Sequence, residues 1–157
     1  GLDFVQGTIA DYDSTGLDML IALHACDTAT DEALFKGISG LAELIVVAPC
    51  CHKQIRRQME AGKPDKHLDF LLKHGTFFER QAEMVTDALR VMLLEYSGYA
   101  TKAFEFISDA HTPKNVMIIA QKRAENDQKE AILNAFSARK THFGIKTHAL
   151  EKMLGLS

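Results

Sequence analysis

Two apolar runs constrain this chain more than any other feature. Residues 19–25 read MLIALHA and residues 44–48 read LIVVA, the second stopped by Pro49. Each has the length of a strand and lacks polar alternation, which predicts strands covered on both faces. About 18 residues with helix-forming character lie between them. That is room for a parallel crossover and too much for a hairpin, so the pair predicts a right-handed β-α-β unit. Each run also ends in a short cluster of His and Cys: His24, Cys26 and Asp27 after the first, Cys50, Cys51 and His52 after the second. Parallel neighbours would bring the two clusters side by side at the carboxyl edge of one sheet, where open α/β sheets place their ligands.

The remaining chain predicts one domain's worth of elements from 157 residues. Residues 2–9 alternate loosely and predict a further strand, followed by an acidic turn at Asp13, Ser14 and Gly16. Thr28 and Asp31 have the spacing of a capping box opening a short helix, with Leu34 and Ile38 on its inner side. Residues 53–74 are polar, broken by Gly62 and Pro64 into two helical pieces, and are expected to lie over the carboxyl edge as an insertion or lid. Thr76 and Glu79 mark the start of the clearest helix, whose stripe is Phe78, Ala82, Val85, Leu89, Met92 and Tyr96. Residues 99–108 and 115–121 are strands joined by so short a connection that they must be antiparallel, with Phe104 and Phe106 expected in the core. Two further helices are expected at 124–138, with Ile132, Leu133 and Phe136 inward, and at 147–154. His111, His142 and His148 are expected at the surface.

Charge and cysteine usage narrow the function classes. The net charge is -3, yet only acids occur before Lys36, while Lys53, Arg56, Arg57, Lys63, Lys66 and Lys73 crowd into the polar insertion. Such a segment could guide an acidic acceptor such as RNA, but no aromatic platform is interleaved with it, so the nucleic-acid signal is weak. No apolar run approaches the roughly 20 residues of a membrane span. Three cysteines, two of them adjacent, do not make a disulfide framework. Reduced thiols in a cytoplasmic setting are the expectation. A metal site is the rival chemistry, since two His and three Cys converging could supply tetrahedral soft ligands, but no metal is expected. The spacings H-x-C and C-C-H lack the C-x-x-C knuckles of structural zinc sites, and adjacent cysteines rarely direct both thiolates to one ion.

A parallel pair followed by a long helix and an antiparallel hairpin resembles the second half of a class I S-adenosylmethionine-dependent methyltransferase, whose seven-stranded sheet ends in such a hairpin. Within that superfamily, LHACDTATDEAL and VVAPCCH are similar to a group of methyltransferase-like domains with an L-H-A-C-(D/G) segment after the fourth strand and P-C-C-H after the fifth. The HTPKNVMI hairpin also resembles theirs. The resemblance covers residues 2–123, which implies an α/β, Rossmann-like domain portion at 1–123 and a helical extension packed on it at 124–157.

The resemblance implies methyl transfer from S-adenosylmethionine to an unidentified acceptor, with RNA or protein as candidate classes. It implies catalytic roles for His24, Asp27 and His52, a cofactor wall at His24, Ala25 and Cys26, and an acceptor wall at Pro49, Cys50, Cys51 and His52. A positioned His can orient or deprotonate an acceptor, since methyl transfer is an in-line displacement that mainly needs alignment. The glycine-rich loop after the first strand and the acid ending the second have no counterpart here. Gly7, Gly16, Gly37 and Gly40 make no G-x-G-x-x-G pattern, and Thr8 and Asp11 match the adenine-side segment only loosely. The chain is therefore expected to correspond to the carboxyl-terminal part of such a domain and to bind the cofactor poorly alone. In the family's sheet the third strand does not touch the fourth, so residues 19–25 are expected to offer an apolar unpaired edge. That edge would be covered by residues 2–9 or by a second copy, as a homodimer. The alternative to an enzyme is a non-catalytic interaction or dimerisation module built on the same half-fold.

Overall fold

The computed structural model describes residues 1–62, 66–106, 114–123 and 127–156. Strand β1 (Met19–Leu23) leads through helix α1 (Thr28–Ser39) to β2 (Leu44–Ala48), then to α2 (Lys53–Ala61), a 3-10 turn (Lys66–Leu68) and α3 (Asp69–Leu72). Helix α4 (Gly75–Tyr96) precedes the hairpin of β3 (Tyr99–Glu105) and β4 (Val116–Lys122), and α5 (Lys129–His142) and α6 (Ala149–Met153) follow. The sheet order is β1-β2-β4-β3. β1 and β2 are parallel, with Leu23 level with Ala48, while β4 runs antiparallel to both β2 and β3. The α/β class, the parallel pair and the antiparallel hairpin are thus as the sequence predicts. Much of the hairpin tip, with His111 and Pro113, lies outside the described residues.

The helices gather on one side of the sheet. α1 packs on β1 and β2, α4 packs on β3, and α2, α3, α5 and α6 pack on α1 or α4. The facing strand residues Ile45, Val47, Ile118 and Ala120 are buried, and Tyr99 joins them by donating its hydroxyl to the Ala42 carbonyl at 3.0 Å. Gly37 sets how near α1 lies. A Cβ there would stand 2.6 Å from the end of the Ile45 side chain, so any larger residue would force that side chain to move. The expected stripe of α4 is confirmed at Phe78, Ala82, Val85 and Leu89, and Phe136 and Leu150 of the last two helices enter the same core.

Among the described residues no helix packs on the opposite face. On β1 the outward residues Met19, Ile21 and Leu23 are 47%, 59% and 58% exposed. The expectation that this strand is covered on both faces is corrected: an unbroken apolar run records what a strand can be covered by, and among the described residues α1 is the helix that packs on it. Phe104 sits level with Met117 on that open side, and Phe106 is 40% exposed, so neither is a core residue.

Other expectations also change. Residues 2–9 form no strand. Leu2, Phe4 and Val5 are exposed, and among the described residues nothing pairs with the outer edge of β1. Loose alternation is not enough when no ladder partner lies within reach. Neither proposed capping box forms. α1 and α4 have no side-chain cap, because Asp31 turns to Arg90 and Glu79 lies 2.7 Å from Arg56. Helix α5 runs on to His142, beyond the expected end, with Lys140 buried against Glu151 at 2.5 Å.

Candidate functional site

The parallel register brings the ends of β1 and β2 level, so residues 24–27 and 49–52 leave the same edge of the sheet. Both loops lead directly into helices, α1 at Thr28 and α2 at Lys53. The first loop is strained. His24 has φ 58° and Asp27 has φ 53°, left-handed values that non-glycine residues adopt only when their surroundings hold them there. Three contacts do so. The Thr30 hydroxyl donates to the Ala25 carbonyl, Arg90 Nη2 donates to the Asp27 carbonyl at 2.8 Å, and the Gln54 amide donates to Asp27 Oδ1 at 3.0 Å. The last bond ties the first loop to the opening turn of α2.

This backbone directs Cys26 toward the second loop. Its Sγ lies 3.3 Å from that of Cys50 and 3.6 Å from that of Cys51, and Cys50 and Cys51 are 3.8 Å apart. The adjacent cysteines therefore do aim both sulfurs at one point, against the sequence expectation. Their proton affinities diverge. Hydrogen bonds from Cys50 and then Cys51 draw the Cys26 thiol below its ordinary value, with Lys53 assisting. Burial, and then the hydrogen bond to Cys26, push the Cys50 thiol up to about 12. Ionisation within the cluster is thus favoured at Cys26 over Cys50. Cys26 is exposed at the surface, while Cys50 and Cys51 are half-buried.

The two histidines occupy different environments. His24 is exposed beside Cys26, and Ala25 is half-buried. His52 is 4% exposed, and its Nε2 lies 3.1 Å from Asp87 Oδ1. Asp87 also accepts from Arg90 Nη1 at 3.1 Å, and Arg90 forms a two-bond fork with Asp31, each bond 3.0 Å. Arg90 is fully buried. Burial alone would lower its proton affinity, but Asp31 and Asp87 outweigh that and raise it. The structure therefore brings Cys26, Cys50 and Cys51 together, with His24 exposed at the start of the first loop. His52 lies beneath, in the ionic network, with Pro49 also buried. Asp27 ties the loops together through its carboxylate.

Sequence reasoning missed this network, and it misplaced His148, which is 1% exposed with its ring edge-on to Phe136. Burial lowers the His148 pKa to about 4. A signal existed for Arg90. Asp87 and Arg90 are three residues apart on a helix whose apolar stripe includes Leu89, so their charges sit close to the buried face. Thr8 and Asp11, by contrast, bond to one another, the Thr8 hydroxyl donating to the Asp11 carboxylate at 2.6 Å.

A protein-family model described as a methyltransferase domain matches residues 1–58. The match spans β1, α1, β2, both cysteine loops and the start of α2. It bears out the resemblance drawn from the LHACD and PCCH segments. No curated protein and no solved structure matches the chain.

Proposed function

We infer that this chain contributes to methyl transfer from S-adenosylmethionine, forming the acceptor-side wall of the reaction crevice. One observation carries the reading: the segment that matches a methyltransferase domain contains both His/Cys loops, and these loops meet at the carboxyl edge of the parallel pair. In that crevice exposed His24 is the residue suited to orient or deprotonate an acceptor, with Ala25 and Cys26 toward the cofactor. Pro49, Cys50 and Cys51 form the floor. Asp27 and buried His52 fix the two loops relative to each other, and the acceptor is RNA or protein. S-adenosylmethionine supplies the methyl group, while the residues here align the acceptor and exclude water. Three free cysteines suit a reducing, cytoplasmic compartment. Among the described residues no helix is long and apolar enough to cross a membrane.

The test uses the complete open reading frame that encodes this chain, incubated with methyl-labelled S-adenosylmethionine and with total RNA or total protein. Label should enter one of the two fractions and fall at least tenfold with His24→Ala. Absence of label from both fractions, together with no calorimetric binding of S-adenosylmethionine to the complete protein, overturns the reading. The 157-residue chain alone, lacking any G-x-G-x-x-G loop, is expected to show no micromolar binding in the same calorimeter.

A second reading, a non-catalytic dimerisation module, rests on the uncovered edge and face of β1. It predicts a concentration-dependent dimer in sedimentation velocity and no cofactor binding by the complete protein.

A further inference from the structure

The geometry points to a binding site for a single thiophilic metal ion, of which zinc is the fitting divalent, formed by the sulfurs of Cys26, Cys50 and Cys51 with its fourth position toward solvent. Sulfurs around a tetrahedral zinc at about 2.3 Å stand about 3.8 Å from one another. The three sulfur separations here are 3.3, 3.6 and 3.8 Å, so small adjustments complete one face of that tetrahedron. All three ligand atoms lie within 4.8 Å of each other, as one ion requires.

The surroundings fit a preformed site rather than a chance approach of thiols. Cys26 is held by a loop whose left-handed residues on either side, His24 and Asp27, are locked by the bonds from Thr30, Arg90 and Gln54. Backbone strain kept in place by several independent contacts is characteristic of functional positions. Cys51 lies two residues before the first residue of α2, whose amino end favours anionic ligands. Lys53 adds positive charge near Cys26. Three thiolates around a divalent ion leave one net negative charge, which these groups offset.

Three protein ligands leave the fourth position for water or an added ligand, the arrangement of reactive rather than closed structural sites. The exposure of Cys26 places that position on the side from which a solute approaches. Binding forms three metal–sulfur bonds, and the protons of those cysteines still present as thiols pass to solvent. No oxidant is involved, and affinity must rise with pH. The site stands on its own geometry and does not depend on the methyl-transfer reading.

The test is a titration of the reduced chain with cobalt(II) under anaerobic conditions, followed by displacement with zinc. One ion per chain is expected, with intense near-ultraviolet thiolate-to-cobalt charge transfer that zinc abolishes, and the apparent affinity should increase from pH 6 to pH 8. Cys26→Ser should weaken binding at least tenfold. That residue is exposed, so the fold, read by circular dichroism, should be retained. Cys51→Ser should do the same. Absence of saturable binding to the reduced chain overturns the site, as does binding that survives both substitutions unchanged. A Cys26–Cys50 disulfide persisting in reducing buffer would also overturn it, because the sulfurs would then belong to a redox pair.

Discussion

The two faces of one four-stranded sheet have opposite fates in this molecule. Neighbouring residues of β4 show the contrast most directly: Ile118 is 1% exposed beneath the helices, whereas Ile119, one residue on, is half-buried on the side where, among the described residues, no helix packs. Composition cannot explain it, because β1 and β2 are apolar on both faces. The difference lies in what the chain places on each side. The crossover helix α1 and the long α4 both pack on the same face, and every later helix builds on them. An apolar strand face is therefore necessary for a core but does not create one.

The largest test of the covered side is Arg90→Met. Removing the guanidinium leaves Asp31 buried without its arginine and Asp87 with His52 alone, a loss of about 3–5 kcal/mol in chemical denaturation. Arg90→Lys should rescue only part of this, since an ammonium cannot reproduce the two-bond fork to Asp31. An unchanged midpoint in Arg90→Met would show that the network contributes nothing to folding.

The faces can next be compared within one strand. Ile118→Ala should cost about 3 kcal/mol and Ile119→Ala about 1 kcal/mol or less, because only the first opens a cavity in packed surroundings. Equal losses would mean that the open face is covered in solution.

His148 makes the covered side sensitive to pH. Its folded pKa of about 4 lies below the ordinary 6.5, so the unfolded chain binds the extra proton first. Stability from keeping this ring neutral is fully present above pH 6.5 and is lost as pH falls toward about 4, by up to about 3 kcal/mol. His148→Phe should flatten that part of the stability profile. A profile of identical slope in the variant would assign the pH dependence to other groups.

The smallest expected effect on folding belongs to the open side. Ile21→Lys should change stability by no more than about 0.5 kcal/mol, since Ile21 is 59% exposed. If the β1 edge joins two copies, the same substitution should abolish the dimer in sedimentation velocity, as lysine on an edge strand opposes pairing. A large loss of monomer stability would instead place Ile21 within a core.

Much of this was legible in the sequence because it depends on local pattern. The parallel pair followed from two apolar runs and the length between them, and the stripe of α4 followed from its spacing. What was not legible depends on competition between distant partners. Asp31 and Glu79 had the spacing of helix caps, yet each is taken by an arginine far away in sequence. Residues 2–9 had strand-like alternation, but a strand exists only with a ladder, and none lies beside them. At the site, His24 and Cys26 were recognisable as candidates. The convergence of Cys50 with Cys51 was not, because it arises from the backbone course between Pro49 and α2.

Arg90 has a consequence that reaches beyond its own ion pairs. It holds the carbonyl of Asp27 in the first cysteine loop, the carboxylate of Asp31 in α1 and, through Asp87, the His52 ring that ends the second loop. One side chain thus connects both halves of the thiol cluster to the interior of α4. Neither loop can open as a separate unit without disturbing the buried network. In hydrogen exchange, the Gln54 amide, which donates to the Asp27 carboxylate across the two loops, should exchange at a rate near that of global unfolding.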